Sequence, residues 1–75
     1  MDIEAVKALA IVYGNYRAAT VVFDMSDGAA AREAAAQVVA SAKALLACQA
    51  AFKCEVAGTD QVDYALEQAR SFYCA

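Results

Sequence analysis

The chain has 75 residues, 63% of them hydrophobic, with no proline, no histidine and only three glycines. A chain this short buries about 60–65% of the surface its unfolded form exposes, which leaves room for one small core and one domain, residues 1–75. The net charge is −3, and Lys7, Arg17, Arg32, Lys43, Lys53 and Arg70 stand one at a time, which excludes the clustered cations that displace counterions from nucleic acid.

The first segment, about residues 2–25, reads as a helix that is apolar almost all round. One stripe holds Leu9, Val12, Tyr16, Ala19 and Phe23, and a second holds Ile3, Val6, Ala10, Tyr13 and, further round, Val21. A third, at Ile11, Ala18 and Val22, points where a three-helix monomer leaves a side chain wet. A helix that is hydrophobic on every side is expected to be buried on every side. Two neighbouring helices cannot cover it, so the pattern predicts oligomerisation, with a dimer favoured. A competing local reading is a β-hairpin, because Gly14-Asn15 suits a two-residue turn and Thr20-Val21-Val22-Phe23 is β-prone.

Ser26-Asp27-Gly28 breaks the first helix, and Ser26 or Asp27 is placed to cap the next. The middle helix, about residues 28–56, carries a heptad seam. Ala31, Val38, Leu45 and Phe52 recur every seven residues, with Ala35, Ala42 and Val56 between them and Gln49 as the polar exception. Together with Leu9 and Phe23 of the first helix, Val38, Leu45 and Phe52 are the expected core or oligomer seam. The opposite side, with Ala36, Ala40, Ala44 and Ala47, either admits another helix closely or faces water.

Gly58 suits the left-handed position that ends a helix, and Thr59 or Asp60 caps the last one, about residues 60–73. Val62, Ala65, Leu66, Ala69, Phe72 and Tyr73 form its apolar stripe. The short turn folds it back on the middle helix as an αα-hairpin. The expected architecture is an all-α three-helix unit within an oligomeric helical bundle.

Catalytic chemistry is hard to build from these residues. Without histidine there is neither the commonest general base nor a Ser-His or Cys-His nucleophile pair. Cys48, Cys54 and Cys74 lack zinc-site spacing. They read as reduced thiols, two of them small core hydrophobes, with a bridge through Cys74 as the alternative. Gly14, Gly28 and Gly58 make no phosphate loop. Asp24 with Asp27, Asp60 with Asp63, and Asp63 with Glu67 are candidate carboxylate pairs, but acids at helix starts ordinarily serve the macrodipole and the free N–H groups. No enzyme, metal or cofactor is expected.

Charge-free runs reach nine residues, short of a membrane span, and Met1-Asp2-Ile3-Glu4 is acidic where a secretion signal starts basic. The expected compartment is the cytoplasm, with no membrane partner.

The densest polar-aromatic cluster is Tyr13-Gly14-Asn15-Tyr16-Arg17. Tyr13 and Arg17 share a helix face at i, i+4. A ring, a guanidinium and a bare backbone can hold a planar anion such as a nucleotide, or form an interface hot spot. Alternatively the two tyrosines are core-edge aromatics, with Gly14 admitting a crossing helix. Tyr64 and Arg70 mark a second candidate contact surface on the last helix.

In size, acidity and alanine-rich helical character the chain resembles accessory proteins of phages and mobile elements that inhibit host factors by binding them. That resemblance implies an inhibitor or adaptor but assigns no residue. The expected function is a helix-mediated protein-binding module, with Tyr13, Tyr16, Arg17, Ile11, Val22, Tyr64 and Arg70 as contact residues. The alternative is an oligomeric small-ligand binder that uses Tyr13, Tyr16 and Arg17.

Overall fold

The computed structural model describes the backbone of residues 3–74 and the side chains of residues 3–72. It is all-α: α1 (Ile3–Met25), α2 (Gly28–Phe52) and α3 (Thr59–Cys74), with no strand among the described residues. The expected start at Asp2, the Tyr73 side chain and any bridge through Cys74 lie outside the described residues.

The hairpin alternative is overturned by packing. Residues 11–23 stay helical because Leu9, Val12, Tyr16, Ala19 and Phe23, spaced three and four apart, all reach inward. Leu9 is buried, and the other four pack on the core. That tertiary contact outweighs the β preference of Thr20, Val21 and Val22. Thr20 also donates its hydroxyl to the Arg17 carbonyl at 2.8 Å, inside its own helix.

α2 is the central element and packs against both α1 and α3. Its heptad seam supplies the core. Ala31, Ala35, Val38, Ala42 and Leu45 are all buried, and Val62 and Ala69 of α3 close over them. Ala35, Val38 and Ala69 form one cluster with Ala19 and Phe23; Ala42, Leu45 and Val62 form the other with Val12, Tyr13, Tyr16 and Leu66. Near its far end, Phe23 meets Phe72 edge to face at 5.7 Å, the arrangement favoured by the ring quadrupoles. By length and composition α2 would pass as a membrane span, although its charge-free runs are short. In this fold its apolar seam is the core.

The seam ends earlier than its sequence pattern. α2 stops at Phe52, and Lys53 takes the left-handed conformation expected of Gly58, with φ 53°. The Cys54 N–H donates to the Gln49 carbonyl at 3.0 Å, and the Lys53 N–H to that of Ala50 at 3.3 Å. This is a Schellman closure with lysine in glycine's place. Phe52 therefore leaves the core and is 39% exposed, and Val56 is likewise exposed. Cys54 lies beyond the helix and is exposed too, so it is not a core residue; Cys48 is half-buried.

Gln49 is buried, and its Oε1 accepts the N–H groups of Val56 and Ala57, each at 2.9 Å. The polar interruption of the heptad thus pins the α2–α3 connection. Gly58 heads α3, its carbonyl accepting the Val62 N–H at 3.1 Å. The carboxylate of Glu55 accepts both the N–H and the hydroxyl of Thr59, at 2.7 and 2.8 Å.

Neither expected cap of α2 forms. Asp27 occupies the N-cap position without a side-chain hydrogen bond, and Ser26 donates its hydroxyl back to the Val22 carbonyl at 2.6 Å. The tight α1–α2 turn is made by Gly28, at φ +59°.

The result is a slim rod, 43 × 17 × 14 Å, with a radius of gyration of 12.6 Å. A compact chain of this length would be about 11.4 Å.

Candidate functional site

α3 covers one side of the α1–α2 pair and leaves the other side open. There, an uncovered groove of about 470 Å³ runs between the two helices. Asn15, Ala18 and Val22 line it from α1, and Gln37, Ala40, Ser41 and Ala44 from α2. The small side chains make it a groove, because alanine on both walls leaves the helix backbones close to the surface.

No charged residue lines the groove. Its serine is also turned inward: the Ser41 hydroxyl donates to the Gln37 carbonyl at 2.7 Å. What remains is apolar surface with the amides of Asn15 and Gln37 available for hydrogen bonds. Such a surface offers shape and burial rather than acid–base chemistry.

Ile11 lies one helical turn from Asn15 and shares the face of Ala18 and Val22. Ile11 is 65% and Val22 53% exposed. Val6, Val21, Ile3 and Met25 are exposed as well, so α1 buries one of its three apolar stripes within the chain.

The Tyr13, Tyr16 and Arg17 cluster is built differently from an open anion site. Both rings are half-buried against the Leu45 and Val62 cluster. The Arg17 guanidinium lies 5.9 Å from the Tyr13 ring centroid, within cation–π range. One face of that ring is thereby occupied by a residue of the same helix. Burial first, and Tyr13 second, hold the Tyr16 phenol above its ordinary value. Gly14 is exposed, and a Cβ placed there meets nothing within 4 Å. The crossing helix expected at Gly14 is therefore not supplied by this chain.

Tyr64 and Arg70 are both exposed on α3. Tyr64 accepts a hydrogen bond from Gln68 at 2.9 Å. Helical spacing puts Tyr64 opposite the buried Val62 and Ala69, away from the groove. The structure thus brings Val22 into the groove, with Ile11 exposed on the same helix face beyond its lining, and Tyr13, Tyr16 and Arg17 to the core edge, and leaves Tyr64 and Arg70 apart from both.

Sequence reasoning located α1's half of the groove and, for α2's half, left the Ala40 and Ala44 side open between admitting a helix and facing water. Ala40 and Ala44 are individually bland. The available signal was their i, i+4 spacing, which repeats that of Gly14 and Ala18. Among the described residues, no cluster of three or more His, Cys, Asp or Glu side chains is grouped to hold a metal ion. Compared with known proteins, the chain matches no family model, no curated protein and no solved structure.

Proposed function

We propose that this chain is a non-enzymatic protein-interaction module, of adaptor or inhibitor type, that works by receiving a helix in the groove between α1 and α2. One observation carries the reading: a charge-free groove flanked by Ile11 and Val22, both more than half exposed. Helix-in-groove recognition needs an apolar trough with few polar groups to desolvate, into which the guest helix lays its own apolar face. Leaving such a face wet on a chain with so small a core forgoes burial worth about 25 cal/mol per Å².

A photo-crosslinking residue substituted at Ala18 and expressed in living cells tests the reading. A discrete protein adduct is expected from position 18, and none from position 32, which is exposed outside the groove. Absence of an adduct at position 18 would refute the reading.

A further inference from the structure

We infer that the occupant of the groove is α1 of a second copy of this chain, laid antiparallel so that a twofold axis passes beside Gly14. The inference rests on the reading of the groove as an interaction surface and gives that surface its partner.

Exposed area favours a second copy. The chain exposes 5059 Å², whereas a folded monomer of 7.9 kDa is expected to expose about 4,400 Å². The excess, roughly 650 Å², is spread over an elongated chain and includes the exposed Ile11 and Val22; a standard interface buries ~800 Å² per partner.

Gly14 favours it too. A glycine inside an exposed helix costs about 0.5–1 kcal/mol relative to alanine. Within the chain nothing approaches it, and its φ is not positive, so neither packing nor backbone geometry requires it here. A second helix crossing at Gly14 and Ala18 would use the space.

The charges of α1 and α2 are in register for such a contact. Lys7, Ile11, Gly14 and Ala18 on α1 have the same spacing as Glu33, Gln37, Ala40 and Ala44 on α2. All eight lie on the uncovered side or its rim by helical periodicity. The two helices run in opposite directions from the turn at residues 26–27. At 1.5 Å per residue, Lys7 lies about 29 Å from that turn and Glu33 about 10 Å. The midpoint falls beside Gly14 on α1 and Ala40 on α2. A twofold axis there carries Lys7 of each copy to the level of Glu33 on the other. Opposite charges then meet twice, at the two rims of the contact. Its centre, from Ile11 to Ala18 and from Gln37 to Ala44, carries no charge on the facing sides apart from Lys43 at its edge. Glu4 lies beyond Lys7 on the same face of α1. An isologous contact of this kind closes on itself and yields a dimer rather than a filament.

Light scattering behind a sizing column, on the full chain and its variants, tests the inference. The wild type is expected at twice 7.9 kDa. Lys7→Glu and Glu33→Lys should each weaken the dimer about tenfold, by turning two attractions into two repulsions. The double variant should recover wild-type affinity. Gly14→Phe, at an exposed position where a Cβ meets nothing within 4 Å in a single chain, should stay helical by circular dichroism and elute as a monomer. A monomeric wild type would overturn the inference, as would a dimer indifferent to both charge reversals, or binding to neutral lipid vesicles in place of self-association. A monomer that still gives a foreign adduct from position 18 removes the second copy and leaves the interaction module standing; a monomer with no adduct removes both.

Discussion

The side-chain oxygen of Gln49 and the backbone N–H of Ala57 are 2.9 Å apart, and the same oxygen accepts the N–H of Val56. One buried amide thus replaces the helix that the α2 seam would otherwise have continued. It satisfies two N–H groups in a connection whose backbone has left the helix. Gln49→Leu keeps the volume and removes the acceptor. The expected loss is about 2–3 kcal/mol, since two donors lose their partner. Thermal unfolding at fixed protein concentration measures it, and an unchanged midpoint would show that the connection holds without this amide.

Backbone conformation gives two predictions of opposite sign. Lys53 is left-handed and exposed, so Lys53→Gly should stabilise the chain by about 0.5–1 kcal/mol. Gly28 is also left-handed, with open space around it, so Gly28→Ala should cost about 1 kcal/mol through backbone strain alone. Chemical denaturation of both variants checks the pair.

Leu45 is wholly buried between α1 and α3. Leu45→Asp places an unpaired charge there and should unfold the chain, because the penalty rivals the roughly 5 kcal/mol available to a domain of this size. Arg17 is exposed and touches the Tyr13 ring. Arg17→Ala should therefore cost no more than about 1 kcal/mol, the value of an exposed cation–π pair. Far-ultraviolet circular dichroism separates the two outcomes.

Two groups are held away from their ordinary pKa values. Thr59, through its hydroxyl first and its N–H second, holds the Glu55 carboxyl below its ordinary value of 4.5. Its contribution is complete above the unfolded pKa and is lost as pH falls through the folded one. Tyr16 is shifted upward from 10.0, so its contribution is complete below that value and is lost as pH rises through the folded pKa. Glu55→Gln should flatten the acid limb of a stability–pH curve, and Tyr16→Phe the alkaline limb.

The α2 seam was readable from Ala31 to Leu45 because heptad spacing and burial are the same fact seen twice. It misled at Phe52 and Val56, because periodicity carries no information on the end of a helix. That end was set by the Gln49 amide and by a left-handed Lys53, a residue that gives no terminator signal. Gly58 drew the terminator assignment by composition and instead heads α3. In α1 the three apolar stripes were legible, but which one faces the core depends on where α2 and α3 pack. The groove needed that same knowledge, since its two walls come from helices whose shared side only the fold defines.

The covering of Ile11 and Val22 by a second chain is the point on which the account turns. Their methyl signals can be followed by nuclear magnetic resonance while a soluble paramagnetic agent is added at millimolar protein concentration. If α1 of another copy fills the groove, both should be shielded nearly as well as Leu45, while Met25, at 83% exposure, relaxes strongly. Relaxation of Ile11 and Val22 to the same degree as Met25 would contradict it.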